Sequence, residues 1–319
     1  MAMPEAPLTP GCCPRRRWGN TGLSIPVIPF GTQGFGNNFG PVSDEQAIAL
    51  IRRAVDLGVN HFDCARCYGD SMRKLGLAIT QGVVKRDEVI ISGRLCCHSA
   101  AQWGGYGKGE ADYSAERAIA DVQDQLARLG TDYFDAMLIH DPTAIEPTLA
   151  PDGCLDGLKR LKADGLVRSV GYGMNPHPFH LKAIAEGDID VLLTFNDYNL
   201  FRQTAADEVL PAAANKSLGV LNGWSIKRGL LTGRPVEEVV PRDTWQPGSD
   251  PERAEAMRLW CAEHEISLIR LALQFCLREG RIHGNPLGNL TIDQLEMNVA
   301  AVLNPLPDAI FEEFRAAHL

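Results

Sequence analysis

The sequence predicts an α/β fold, a (β/α)8 TIM barrel preceded by an N-terminal β-hairpin. Three observations carry that expectation. Short runs that read as strands alternate with helical patterns along the 319-residue chain, eight strand–helix units in all. The strand runs are apolar throughout rather than alternating, as strands covered on both faces are. No second composition regime and no linker interrupts the series, and a chain of this length suits one barrel. A doubly wound open sheet is the alternative. It would want a G-x-G-x-x-G turn after its first strand, and Gly31-Thr32-Gln33-Gly34-Phe35-Gly36 only echoes that motif. Residues 1–14, rich in Pro, Ala and Gly, are expected to form a loose tail, and residues 15–319 a single domain.

In chain order, Gly19 to Pro26 reads as a turn joining two short strands. Val27 to Thr32 is the first apolar strand. Ser43 is a good N-cap with Gln46 at the reciprocal capping-box position, so a helix runs from there to Leu57, with Gly58 as its stop. A strand to Asp63 and a helix near Ser71 to Thr80 follow. Then come the strand Glu88 to Arg94, a helix Ser114 to Leu129, the strand Tyr133 to His140 and a helix Cys154 to Ala163. Val167 to Tyr172, Val191 to Phe195 and Leu218 to Asn222 are further strands with helices between them. A helix over Pro251 to Arg278, a strand over Arg281 to Leu287, and helices over Ile292 to Val302 and Pro307 to Ala317 complete the set.

Composition narrows the function. At 45% hydrophobic and 22% charged residues the chain is ordinarily globular and can bury a large core. A net charge of -9 argues against nucleic acid or an anionic membrane as the main partner. No stretch approaches the roughly 18 apolar residues of a membrane span. Arg15-Arg16-Arg17 lacks the apolar run a twin-arginine export signal needs. A cytoplasmic protein is expected. The nine cysteines include the vicinal pairs Cys12-Cys13 and Cys96-Cys97 and one C-x-x-C, Cys64 to Cys67, at a strand-to-loop passage. Free thiols are the expected state.

The chain is organised around Asn60 to Ser71, a short strand that delivers Asp63, then Tyr68 and Gly69, into a loop. In a barrel, functional groups sit at the C-terminal ends of strands. Arg94 and His140 fall at two other such ends. Singly, each has a plain structural reading: Arg94 as the partner of a surface carboxylate, His140 as a satisfied core histidine. Together they converge on one barrel mouth. A phenol of ordinary pKa about 10 needs a cation beside it to give up its proton. Arg94 would supply the cation, Asp63 would hold it, and His140 would orient a substrate oxygen. Metal-dependent chemistry would need more His and carboxylate groups at strand ends than Asp63 and His140, so no metal is expected.

At these residues the chain resembles the aldo/keto reductase family. The likeness runs through Asn20-Thr21-Gly22-Leu23, Phe62-Asp63-x-Ala65-x-x-Tyr68-Gly69-x-Ser71, Leu138-Ile139-His140 and Gly165-Leu166-Val167-Arg168-Ser169-Val170-Gly171. It continues through Gly229-Leu230-Leu231-Thr232-Gly233 to Gln294-Leu295-Glu296-Met297-Asn298. The resemblance implies an NAD(P)-dependent oxidoreductase (EC 1.1.1.-) with a catalytic tetrad of Asp63, Tyr68, the cation and His140. Tyr68 would be general acid in reduction and base in oxidation. Three positions depart from the family. Its cation is normally Lys, and here it is Arg94, planar, bulkier and effectively never deprotonated. The Ser, Asn and Gln that clamp the carboxamide are replaced by Gly173, Met174 and about Phe195, with Asn175 and Asn196 adjacent. Met72 follows Ser71 where Glu is frequent.

By the same resemblance the nicotinamide cofactor lies across Gly31 and Thr32, Asn175 and Asn196, Trp224 with Ser225, and Lys227 with Arg228. Its adenosine end would lie on Gly288 and Asn289 and on the helix carrying Gln294 and Asn298. That last segment has no Arg for a 2′-phosphate, which favours NAD, while Lys227 and Arg228 keep NADP open. Leu210 to Ala214, Val220 to Asn222 and Gln294 to Ala300 look most like the L-galactose and D-threo-aldose dehydrogenase branch, so a carbonyl or sugar substrate is expected. Trp103, Tyr106 and Tyr113 would stack on it or pack a loop, with Asn37, Asn38, His98 and Gln102 nearby. The sequence leaves open the direction of reaction and whether the protein is a monomer or a homo-oligomer. The competing reading is a catalytically impaired member acting as a nucleotide-binding regulatory or sensor protein.

Overall fold

A computed structural model describes residues 11–37, 40–96 and 111–318. A two-stranded antiparallel hairpin opens the chain, β1 (Arg15–Arg17) paired with β2 (Ser24–Pro26). Eight parallel strands follow: β3 (Phe30–Gly31), β4 (His61–Asp63), β5 (Ile90–Cys96), β6 (Ala136–His140), β7 (Val170–Gly173), β8 (Val191–Phe195), β9 (Gly219–Gly223) and β10 (Leu287–Gly288). Their order is β10-β3-β4-β5-β6-β7-β8-β9. The ring closes through a parallel bridge between Leu221 and Gly284, where the Asn222 amide donates to the Gly284 carbonyl at 2.9 Å. This is the (β/α)8 barrel with its N-terminal hairpin.

The hairpin covers one end of the barrel. Trp18 is fully buried there, its ring 5.1 Å from that of His61, and it lies so close to Gly219 that no side chain fits at that glycine. Residues 1–10 of the expected tail lie outside the described residues. Cys13 is buried, its amide bonded to the Leu57 carbonyl at 2.8 Å, so the chain is docked from there on.

The helices are α1 (Asp44–Asp56), α2 (Ser71–Thr80), α3 (Ala115–Leu129), α4 (Glu146–Leu149), α5 (Cys154–Ala163), α6 (His177–Glu186), α7 (Val209–Asn215), α8 (Asp250–Glu263), α9 (Leu268–Arg278), α10 (Ile292–Leu303) and α11 (Asp308–Ala316). The capping box predicted at Ser43 and Gln46 is present. The helix expected over Pro251 to Arg278 is instead two helices, broken where Glu265 takes a left-handed conformation. The break lets Ala254, Met257 and Cys261 of α8 pack in a side cluster with Leu268, Leu271 and Ala272 of α9, while Ile269 and Leu273 on the other side of α9 enter the main core. Neither Gly nor Pro marks that break, so local sequence did not reveal it. The first and last barrel strands are also shorter than their apolar runs, because Pro29 and Pro286 have no N–H to give a ladder. The strand carrying Arg94 runs on to Cys96, two residues beyond the expected end.

Candidate functional site

Period-two geometry decides which residues of β5 face the barrel interior. Ser92, Arg94 and Cys96 share one face and are buried. Asp63 is in register with Ser92, and His140 lies between Cys96 and Gly173 in the neighbouring strands. Arg94 Nη2 donates to Asp63 Oδ2 at 2.7 Å and Nε to Oδ1 at 3.2 Å, a side-on fork in which both groups are under 5% exposed. Ser92 Oγ donates a third bond to Asp63 Oδ1 at 3.1 Å, and His61 Nε2 lies 3.0 Å from Ser92 Oγ. Since Ser92 spends its proton on Asp63, His61 is the donor to Ser92. Burial holds the His61 pKa down at about 4, so the ring is neutral. Burial disfavours the charge on Arg94, but the Asp63 carboxylate outweighs it and raises the pKa above the ordinary arginine value.

Arg94 fits because residue 173 is glycine. A Cβ there would collide with Arg94 Nη1 and stand 3.2 Å from Cζ. The departures at positions 94 and 173 are therefore one structural adjustment.

Tyr68 stands on the loop after β4. Gly36 lies so close to the Tyr68 carbonyl that a side chain at 36 would displace the loop. The Tyr68 ring meets that of His140 edge-on, with centroids 6.1 Å apart. Its pKa corrects the expectation of a depressed value. Enclosure by protein raises it, and the charge of Arg94 offsets only part of that rise. Tyr68 is thus a protonated phenol at all ordinary pH values. The Asp63, Tyr68, Arg94 and His140 side chains are brought together as the spacing suggested.

The residues assigned to a cofactor form two groups. Thr32 Oγ1 donates to the Asp63 carbonyl at 3.1 Å, and Gly31 pairs with Gly288 across β3 and β10. Asn289 and Asn298 are buried and joined by a 2.6 Å bond from Asn298 Nδ2 to Asn289 Oδ1. Gln294 Oε1 accepts from the Leu290 amide at 2.8 Å, so its carbonyl secures the start of α10. On the other side, Trp224, Lys227 and Arg228 all take left-handed φ values, a run of strained backbone of the kind that marks binding loops. Trp224 packs 5.4 Å from the Phe195 ring, with the Arg228 guanidinium 5.0 Å from its centroid. Lys227 Nζ bonds Asn196 Oδ1 at 2.6 Å and pairs with Asp250 at 3.0 Å. Asn175 Nδ2 donates to the Phe195 carbonyl at 2.7 Å.

Two of these side chains offer polar atoms that a bound molecule would satisfy. Ser225 Oγ and Asn298 Oδ1 are buried with no hydrogen-bond partner in the protein. The Ser225 hydroxyl can donate or accept and the Asn298 carbonyl oxygen accepts, so the pair fits a ligand bearing hydroxyl or N–H groups, while the N-terminus of α10 adds amide dipoles favourable to phosphate.

A family model described as "Aldo/keto reductase family" matches residues 27–318. The chain belongs to the aldo/keto reductase family. It is an oxidoreductase of that family, whose members use a nicotinamide cofactor, NAD or NADP. The L-galactose dehydrogenase of Arabidopsis thaliana is 31% identical over 295 residues, covering 90% of this chain and 87% of that protein. The D-threo-aldose 1-dehydrogenase of a Pseudomonas species is 27% identical over 320 residues, covering 93% and 95%. The solved holo form of an aldo-keto reductase from Bacillus halodurans shares the fold with a TM-score of 0.79 at 22% identity, over 95% of each chain. Among the described residues no helix is long and apolar enough to cross a membrane.

Several parts of this aldo/keto reductase site were missed or lie beyond view. Asn38, Cys97, His98, Gln102, Trp103 and Tyr106 fall outside the described residues. Tyr113 is tied to Thr143 by two 2.8 Å bonds, and Asn37 accepts from Lys74, so both serve loop structure. Asp250, which neutralises Lys227, is far away in sequence and carries no local signal. Ser92, His61, Cys67 and Cys96 were equally unmarked as neighbours. The alternation of β5 could have placed Ser92 and Cys96 beside Arg94.

Proposed function

We propose that this protein interconverts a carbonyl group and the corresponding alcohol on a sugar or related polyhydroxy compound, with Tyr68 as the proton-transferring residue. The observation that carries the reading is the buried Asp63–Arg94 fork beside the Tyr68 and His140 rings. When bound, the nicotinamide gives or takes the hydride. Tyr68 gives the proton to the oxygen that becomes a hydroxyl. Arg94 lowers the cost of the phenolate left behind, Asp63 fixes the guanidinium in place, and His140 orients the oxygen. Arg94 holds its own proton throughout, so it acts by charge alone.

The names of the relatives support a sugar substrate. NAD is favoured over NADP because the positive charge of Lys227 is already answered by Asp250, and Gln294 is engaged in securing α10. The mouth residues Gly31, Thr32, Asn175, Asn196, Trp224, Ser225 and Arg228 would hold the cofactor, with Gly288, Asn289 and Asn298 at its far end. A cytoplasmic setting fits the net charge of -9 and the thiol state of the eight described cysteines. The intact tetrad contacts argue against an impaired sensor.

Tryptophan fluorescence titration with NADH and NADPH, followed by absorbance assays on an aldose panel, tests the proposal. NADH is expected to bind the tighter, with turnover on at least one aldose that is lost in Tyr68→Phe. Tight binding without turnover on any carbonyl or alcohol would turn the reading to the sensor alternative. Binding of neither nucleotide would end it.

A further inference from the structure

Cys67, Cys96 and His140 meet in a way that proton and hydride transfer do not use. We propose that these three side chains form a binding site for a thiophilic transition-metal ion, Zn2+ in the first instance, and that filling it switches the enzyme off. The ligand atoms all lie within 4.8 Å of one another. Cys67 Sγ is 3.6 Å and Cys96 Sγ 3.9 Å from His140 Nδ1. Two sulfurs and one nitrogen around a tetrahedral Zn2+, at bond lengths of about 2.3 and 2.0 Å, stand roughly 3.4–3.8 Å apart. Closing on the ion therefore needs shifts of at most about 1 Å.

The barrel supplies this arrangement. Cys96 and His140 are register neighbours on β5 and β6, both facing inward. Cys67 comes from the loop that β4 delivers, one residue before Tyr68. All three are buried, and neither cysteine is in a disulfide. The sequence disguised the site because Cys67 has its C-x-x-C partner Cys64 in the main core, where burial raises the Cys64 thiol pKa.

The chemistry selects the ligand. Thiolate and imidazole donors suit Zn2+ and its soft neighbours, whereas Mg2+ and Ca2+ want oxygen. Each thiol gives its proton to solvent as its S–H bond is replaced by a sulfur–metal bond, with no change of oxidation state. Two thiolates and a neutral imidazole cancel the dication, which a buried site requires. A fourth position remains for water.

The inhibitory effect rests on the proposed oxidoreductase reading; the binding does not. Drawing the three ligands together moves His140, whose ring packs edge-on against Tyr68, and pulls on the chain at Cys67 and on β5 two residues after Arg94. The tetrad loses its geometry when the ion enters.

Titrating the reduced full-length protein with Co2+ tests the site without substrate or nicotinamide, so its failure and that of the oxidoreductase reading are separable. One equivalent is expected to give the absorption of tetrahedral Co2+ with thiolate charge-transfer bands, bleached by Zn2+. Cys67→Ser and Cys96→Ser should each lose or weaken the charge-transfer band, while Cys12→Ser/Cys13→Ser keeps it. In turnover assays Zn2+ should lower wild-type activity by about tenfold or more and leave Cys96→Ser, active without metal, little changed. Absence of thiolate bands, or bands that persist unchanged in both single variants, overturns the site. Zn2+ binding with unchanged turnover overturns the switch.

Discussion

The guanidinium of Arg94 occupies the space that a side chain at position 173 would need. Cζ stands 3.2 Å from where a Cβ on Gly173 would be, and Nη1 is closer still. Because Arg94 is also held by two bonds to Asp63, it cannot swing aside without breaking a buried ion pair. The bulkier cation and the missing side chain are thus coupled, although they lie 79 positions apart in the chain.

Gly173→Ser should therefore be damaging with Arg94 and tolerated with Lys. Overpacking of this kind costs about 1–3 kcal/mol of stability, and displacement of the guanidinium should lower kcat by roughly 10- to 100-fold. Adding Arg94→Lys should recover much of both losses, with a coupling energy above about 1 kcal/mol in a double-mutant cycle. Equal stability and turnover in wild type and Gly173→Ser would show that the two positions are independent.

The alkaline pH profile follows from two directions of shift. Tyr68 is raised by its enclosure and Arg94 by Asp63, so neither changes protonation in the usable alkaline range. In the reductive direction kcat should stay level from about pH 7 to about pH 10. Arg94→Lys introduces an amine that titrates, and its profile should fall on the alkaline side. Stopped-flow or steady-state rates across that range decide it; a wild-type profile that drops first would contradict the fixed charge of Arg94.

Acid should loosen the fold through two buried histidines. Burial depresses His61 and His180 to about 4, with the Met174 carbonyl partly opposing this at His180. The unfolded chain takes up these protons near pH 6.5. Their contribution is therefore complete above about pH 6.5 and is lost as pH falls toward 4, at up to about 1.4 kcal/mol per pH unit for each histidine. Urea unfolding at pH 7.5 and pH 5 should show the loss, and His61→Gln should reduce it. Stability independent of pH over that interval would rule out neutral buried rings.

Much of this architecture was legible in the chain because it is set locally. Buried strands read as apolar runs, Ser43 and Gln46 mark a helix start, and the spacing from Asp63 to Tyr68 fixes both groups on one strand-end loop. Arg94 and His140 were findable because a parallel barrel sends strand ends to a common mouth. What depends on neighbours remote in sequence was not readable. The break between α8 and α9 carries no Gly or Pro; it lies at the left-handed Glu265, beyond which α9 packs into both the side cluster and the main core.

The sequence by itself determined the barrel, the hairpin and the meeting of Asp63, Tyr68, Arg94 and His140 at one barrel mouth, since periodicity and chemical type are properties of the chain. Only the tertiary structure decided their electrostatics and their company. The same burial that brings Tyr68 beside Arg94 removes water from its phenolate, and that loss outweighs the cation. Register across the strands seats Gly173 beside the guanidinium and Cys96 beside His140. Distances between strands arise from sheet pairing and packing, which no single segment encodes.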